Sequence, residues 1–224
     1  MGTSLFKLKS PQAVLFDMDG LLLDSECVAL DCFEESALEL GLPWDRDFAL
    51  TLVGITARES DRMMLRKFGE DFPVELHRQR FSELYEAAIA SGAIALKPFV
   101  RELLDYLERA QIPCAVATST QRVRAEVKLH RTQILPYFKV LACGDEVTRG
   151  KPAPDIFELA ARRIGVEARD CLVLEDSNPG IRAAVSANMS AVMVPDLLKP
   201  DADVRRYGVP VADSLKDVLV ALMQ

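Results

Sequence analysis

The chain has 224 residues, of which 50% are apolar and 27% are charged. This is the balance of a globular protein long enough to bury a substantial core. The net charge of -7, with no run of lysine or arginine, argues against a nucleic-acid partner. No apolar window approaches the ~18 residues of a transmembrane helix, and the opening segment MGTSLFKLKSPQ lacks the apolar core of a signal peptide.

We therefore expect no membrane partner and a cytoplasmic location. Cysteine usage points the same way, because an odd number of cysteines without paired spacing is typical of small core residues in a reducing compartment. The five cysteines are at positions 27, 32, 114, 143 and 171.

Short apolar runs recur along the chain with the length of buried strands. They occupy 13–16, 112–117, 138–143, 171–174 and 190–194. Helical patterns lie between them, at 100–110, 121–130, 154–165 and 178–187. In the last of these we expect Asn178 to cap the helix and Pro179 to occupy its first position. Alternation of strand and helix predicts a parallel sheet covered by helices on both faces.

One section departs from this alternation. Between Asp24 and about Gly92 the sequence contains three helical patterns, each ending on glycine, and no strand-like run. A segment of about 70 residues is too long for an ordinary connection. We predict an inserted helical cap subdomain over 23–92, with 1–22 and 93–224 forming the α/β core.

Polar side chains follow three of the predicted strands. Asp17 and Asp19 follow the first, residues 118–120 (Thr-Ser-Thr) follow the second, and Glu175 and Asp176 follow the fourth. Because parallel strands end at the same edge of a sheet, and open α/β sheets bind ligands there, these groups are expected to share one crevice.

Four carboxylates in one crevice repel each other unless a positive charge lies among them. Ligation by oxygen alone favours a hard cation such as Mg²⁺. The chain has two histidines, His77 and His130, both in helical patterns, and we expect both to be solvated. A zinc site or a Ser-His-Asp triad is therefore poorly supported. Lys151, in the loop after the third strand, could supply a fixed positive charge in the same crevice.

At this point the chain resembles a known family. The segments FDMDG, ATST, GKPAPD and LEDSNPG resemble, in order, the four motifs of the haloacid dehalogenase superfamily. The best match is its β-phosphoglucomutase-like branch, whose members carry a helical cap just after the first motif. The resemblance covers essentially the whole chain and implies a Rossmann-like, three-layer α/β core with an inserted helical cap.

The resemblance also implies roles for the residues of the motifs. Asp17 would be the nucleophile that forms an aspartyl-phosphate. Asp19 would protonate the leaving oxygen and then accept a proton from water. Lys151 would neutralise the nucleophile and the transferring group. Mg²⁺ would be held by Asp17, the backbone carbonyl of Asp19 and Asp176, with Glu175 in direct or water-mediated contact.

The remaining positions of the resemblance concern the substrate. Met18, Gly20, Thr118 and Ser119 would surround the phosphoryl group, the last two at the N-terminus of the following helix. Arg58, in the second cap helix, is the candidate for the far polar end of the substrate.

These roles predict a Mg²⁺-dependent phosphatase acting on a small phosphorylated metabolite, in particular a sugar phosphate. Asp19 favours phosphoryl chemistry, since dehalogenases of the superfamily generally lack this acid. A β-phosphoglucomutase-like mutase is the alternative, although Ala29 stands where mutases carry an assisting histidine. A non-catalytic binding protein on the same scaffold is the alternative from another class. The sequence identifies neither the substrate nor the oligomeric state.

Overall fold

The computed structural model describes residues 6–52 and 57–224, with the side chains of Ala57 and Arg58 left out. The chain divides into two compact units. One comprises Leu96–Gln224 together with the segment that ends at Leu23, and the other comprises Asp24–Ala95. The sequence-based boundaries lie after residues 22 and 92.

The described residues form five strands and ten α-helices. The strands are β1 (Ala13–Phe16), β2 (Cys114–Ala117), β3 (Phe138–Ala142), β4 (Cys171–Glu175) and β5 (Ser190–Met193). The helices are α1 (Ser25–Glu39), α2 (Arg46–Leu50), α3 (Ala57–Phe68), α4 (Val74–Ser91), α5 (Val100–Arg109), α6 (Arg122–Arg131), α7 (Asp155–Ile164), α8 (Asn178–Ser186), α9 (Ala202–Arg206) and α10 (Leu215–Leu222). None of the described helices combines the length and the apolar character needed to cross a membrane.

The strands form one parallel sheet in the order β3-β2-β1-β4-β5. Every side chain of β1, β2 and β4 is buried, as expected for a parallel sheet with both faces covered. The α/β fold predicted from the sequence is thereby confirmed. The order changes direction at β1, so the crevice at the carboxyl ends of β1 and β4 is the place where such sheets bind ligands.

The register of the central strands sets the level of the residues that follow them. Phe16 of β1 pairs with Leu174 of β4, and the Asp17 N–H donates to the Leu174 carbonyl at 3.0 Å. Asp17 and Glu175 therefore leave the sheet side by side.

The helices around the sheet bury one face each. In α5 the buried residues recur with the spacing of a helical stripe. They are Val100, Leu103, Leu104 and Leu107. In α7 the buried face lies against β2 and β3, and a glycine in the left-handed conformation, Gly165, ends the helix as predicted.

The predicted cap at the start of α8 is wrong by one residue. Ser177, whose backbone is extended, is the N-cap, and its hydroxyl accepts from the Gly180 N–H at 3.1 Å. Asn178 is the first residue of the helix, and its side-chain amide binds the backbone of Lys199 and Asp201 instead. Two adjacent residues that can both cap a helix cannot be distinguished by composition.

The unit Asp24–Ala95 consists of α1 to α4, with α1 packed against α4. Its interior is aromatic, and the prediction that His77 is solvated is wrong. His77 is 1% exposed, its ring meets Phe33 edge to face with centroids 4.4 Å apart, and its Nε2 lies 3.2 Å from the Phe33 carbonyl. His130 is exposed on α6, as predicted.

Candidate active site

Asp17 follows the central strand and is 7% exposed. Burial raises the pKa of Asp17 to about 7, against the lowering effect of the Lys151 charge and together with a raising effect of Glu175. A buried carboxylate needs a paired positive charge to remain ionised. The surroundings of Asp17 therefore decide whether it can act as a nucleophile.

Lys151 supplies part of that charge. Its Nζ donates to Asp17 Oδ1 and, at 2.6 Å, to Glu175 Oε1, although Lys151 stands 134 residues from Asp17 in the chain. Burial disfavours the ammonium, but the charges and hydrogen bonds of the two carboxylates outweigh burial and raise the pKa of Lys151. Lys151 is therefore a permanently charged group fixed against the predicted nucleophile.

Glu175 is completely buried and holds Lys151 in place. Its Oε1 accepts from Lys151, while its Oε2 accepts from the Ser177 N–H at 2.7 Å and from the Ser177 hydroxyl at 2.8 Å. Both oxygens thus accept hydrogen bonds from the protein. The same serine caps α8, so the start of that helix and the position of Lys151 depend on one set of contacts.

Asp176 completes a group of three buried carboxylates. One oxygen from each of Asp17, Glu175 and Asp176 lies within 4.8 Å of the others, an arrangement that can hold a metal ion. The group contains three carboxylates, whereas Lys151 supplies a single positive charge, so Lys151 alone does not balance the group. An all-oxygen set with excess negative charge fits a hard divalent cation.

Gly20 allows Asp176 to approach the segment that follows Asp17. Its φ is +88°, and a Cβ at this position would overlap the Asp176 carboxylate. The left-handed backbone and the lack of space each require glycine. Gly20 thus makes room for a carboxylate of the metal-capable group.

The Asp19 carboxylate does not belong to that group of three. Its Oδ1 accepts from Lys128 Nζ and its Oδ2 from the Thr120 hydroxyl, each at 2.6 Å. Lys128 lies on α6 and is 3% exposed. The sequence reasoning missed Lys128. The signal was its position three residues after Ala125, on the face of α6 that is otherwise apolar.

The predicted phosphate-binding residues follow β2 as expected. Thr118 is 1% exposed, and its Oγ1 accepts from the Thr120 N–H at 3.0 Å, which leaves the hydroxyl proton able to donate. Ser119 is exposed. The N-terminus of α6 is partly occupied, because the Arg122 N–H donates to Asp145 Oδ1 at 2.9 Å.

Two further predicted residues are Met18 and Arg58. The Met18 side chain is fully buried and its carbonyl accepts from the Leu22 and Leu23 N–H groups, so any contact of Met18 with substrate would use its N–H. The side chain of Arg58, at the start of α3, lies outside the described part of the chain.

Comparison with known proteins identifies the family of the chain. A model of the haloacid dehalogenase-like hydrolases matches residues 14–194. The chain belongs to this family. It is 32% identical over 189 residues to the phosphorylated carbohydrates phosphatase of Thermotoga maritima, covering 81% of this chain and 83% of that protein. This relative identifies the chain as a phosphoric monoester hydrolase.

Solved structures resemble the chain over most of its length. A structure described as a putative β-phosphoglucomutase from Thermotoga maritima superposes with a TM-score of 0.79 at 29% identity, covering 94% of this chain and 98% of that one. The CbbY protein of Rhodobacter sphaeroides, solved in complex with xylulose-(1,5)-bisphosphate, superposes with a TM-score of 0.71 at 29% identity, covering 94% of this chain and 95% of that one. The β-phosphoglucomutase of Clostridium difficile shares the fold, with a TM-score of 0.72 at 24% identity over 91% of each chain.

Proposed function

We propose that this hydrolase is a Mg²⁺-dependent phosphatase that hydrolyses a sugar phosphate through an aspartyl-phosphate on Asp17. The observation that carries the proposal is the pairing of Asp17 with Lys151 beside a metal-capable group of buried carboxylates. The family and the class of reaction follow from the relatives. The metal, the intermediate and the substrate are the parts proposed here.

In the first step, Asp17 attacks phosphorus while the bond from phosphorus to the leaving oxygen breaks. Asp19 gives its proton to that oxygen, so the sugar leaves as a neutral alcohol. Lys151 keeps the nucleophile in place and offsets negative charge on the transferring group. Positioning and charge stabilisation are the main contributions that a protein makes to phosphoryl transfer.

In the second step, water attacks the phosphorus of the aspartyl-phosphate and Asp19 accepts a proton from that water. Cleavage of the bond between phosphorus and Asp17 releases phosphate and regenerates the carboxylate. One aspartate thus serves first as acid and then as base.

Asp17 and Asp176, with the Asp19 backbone carbonyl and with Glu175 nearby, are proposed to hold the ion. Bound Mg²⁺ would supply positive charge to the phosphoryl oxygens. The Thr118 hydroxyl would donate a hydrogen bond to the same oxygens. Ser119 and Met18 would contribute backbone N–H groups. Lys151 would then interact mainly with the nucleophile, Asp17.

The choice of a sugar phosphate rests on the names of two relatives, a phosphatase of phosphorylated carbohydrates and a protein solved with a sugar bisphosphate. We propose that the unit Asp24–Ala95 acts as the cap and selects the substrate, with Arg58 as the candidate contact. The free cysteines suit a reducing compartment, and a cytoplasmic location stays a prediction.

The test is a screen of phosphorylated metabolites for release of inorganic phosphate in the presence of Mg²⁺, with Asp17→Asn as the inactive control. We expect release from one or more sugar phosphates, and no release by the variant. Movement of phosphate within the substrate without release would establish a mutase. Binding without either reaction would establish a non-catalytic protein. Activity of Asp17→Asn above a few thousandths of wild type would exclude Asp17 as nucleophile.

The cap is tested by Arg58→Ala. If Arg58 contacts the far end of the substrate, kcat/KM for the best sugar phosphate falls at least tenfold, because remote binding energy is used only by substrates that reach it. The rate with p-nitrophenyl phosphate stays within a few-fold. Equal losses on both substrates would remove Arg58 from substrate selection.

A further inference from the structure

Lys128 is a buried charge with a specific partner. It lies on α6 with 3% of its side chain exposed, and its Nζ contacts Asp19 Oδ1 at 2.6 Å. The Asp19 side chain is 20% exposed, and its other oxygen accepts from the Thr120 hydroxyl at 2.6 Å. Two donors, one just before α6 and one on it, thus hold the two oxygens of one carboxylate.

We propose that Lys128, together with Thr120, is a positioning residue for Asp19, fixing where that carboxylate lies for its proton transfers. The proposal rests on the role given to Asp19 in the proposed function. Holding both oxygens restricts both torsions of a short side chain. Proton transfer requires heavy atoms within about 3 Å, so a small displacement of the carboxylate would slow it steeply.

Stability alone does not account for a lysine at this position. Buried ion pairs contribute little to stability compared with apolar residues of similar volume, because the loss of hydration offsets the attraction. The neighbours of Lys128 on the buried face of α6 are Ala125 and Leu129. A methionine would extend that apolar face without difficulty. Lysine adds a bond to Asp19 that methionine cannot make.

The reaction gives this role a distinctive signature. A poor leaving group needs a proton from Asp19 as its bond to phosphorus breaks, whereas p-nitrophenolate leaves without one. Displacement of Asp19 should therefore slow the first step for phenyl phosphate and spare it for p-nitrophenyl phosphate. The residues proposed to bind the phosphoryl group are Thr118, Ser119 and Met18 rather than Lys128, so KM should change little.

The experiment compares Lys128→Met with wild type, with Lys139→Met as a matched control at an exposed lysine of β3. The first-turnover release of phenol should fall at least tenfold relative to that of p-nitrophenol, with KM within about twofold. Lys128→Arg should restore part of the phenol rate. In the Asp19→Asn background, Lys128→Met should cause no further loss, since residues acting through one another are not additive.

The proposal would be overturned if Lys128→Met slowed the release of phenol and of p-nitrophenol equally, or if it changed KM alone. It would also be overturned if Lys139→Met had the same effect, or if the effects of Lys128→Met and Asp19→Asn were fully additive. If Asp19→Asn abolishes phenol release while Lys128→Met behaves as wild type, the positioning role fails and the proposed function stands. If Asp19→Asn retains full activity, the proposed function fails and the positioning role with it. Should Lys128→Met not fold, Thr120→Val removes the other donor at nearly constant shape, with the same expected selectivity for phenol.

Discussion

Gly180, in the first turn of α8, lies so close to the Glu175 carboxylate that a Cβ at position 180 would overlap both carboxylate oxygens. Glu175 in turn holds Lys151 at 2.6 Å. A residue with no functional group therefore determines the position of a charged one. The cap of α8 by Ser177 lies in the same contact set.

Gly180→Ala should displace Glu175 and release Lys151 from Asp17. We expect kcat to fall at least tenfold, and the free energy of unfolding to fall by about 1–3 kcal/mol through overpacking. Phosphate release and urea unfolding measure the two effects. Ser186→Ala, at the exposed end of the same helix, is the control and should change neither. A fully active Gly180→Ala variant would show that Glu175 does not position Lys151.

Asp17→Asn should abolish activity but should increase the free energy of unfolding when no metal is bound. Burial raises the pKa of Asp17 to about 7 from 3.8, so ionisation opposes folding at higher pH. The cost is absent below pH 3.8, grows between pH 3.8 and 7, and is constant above. In chelator at pH 8 the variant should therefore be more stable than wild type. The difference should vanish near pH 4, as measured by urea unfolding.

Chelation should abolish phosphatase activity, and Mg²⁺ should restore it better than Ca²⁺, which prefers more ligands at longer distances. Asp176→Asn removes one of the three charges and should raise the Mg²⁺ concentration for half-maximal activity at least tenfold. Asp47→Asn, at an exposed position in α2, serves as the control. Full activity in excess chelator would contradict the metal proposal.

His77 should make the unit Asp24–Ala95 sensitive to acid. Burial lowers the pKa of His77 below 6.5, and its Nδ1 has no hydrogen-bond partner among the described residues. Below pH 6.5 the unfolded chain binds a proton that the folded unit does not, so the free energy of unfolding decreases as the pH is lowered. Between pH 6.5 and 5 the loss from this residue is at most about 2 kcal/mol.

The measurement uses the only tryptophan of the chain, Trp44, whose ring packs against Phe33 in the same unit. Its fluorescence during urea unfolding reports that unit at pH 7.5 and pH 5. His77→Phe should be less sensitive to pH than wild type, whereas His130→Gln, at an exposed position, should match wild type. Identical pH dependence in His77→Phe would exclude His77 as the cause.

The sheet was predictable because burial on both faces leaves short, continuous apolar runs such as β1. The acidic strand ends were visible for the same reason, since Asp17 and Glu175 follow those runs directly. Lys128 and His77 were not recognised, because periodicity identifies the buried face of a helix but not a polar residue whose partner comes from another element. Helix α2 was not predicted, because a helix of about one and a half turns is too short to show a periodic apolar pattern.

The position of β1 in the sheet has a consequence for synthesis of the chain. β1 is made first, yet its two neighbours are β2 and β4, and β4 emerges about 150 residues later. A nascent chain that ends before Cys171 contains Asp17 and Lys151 but lacks Glu175 and Asp176. Because the chain is synthesised from the N-terminus, most of the polypeptide must be made before the residues around Asp17, the proposed nucleophile, are present. The proposed active site is therefore complete only late in translation.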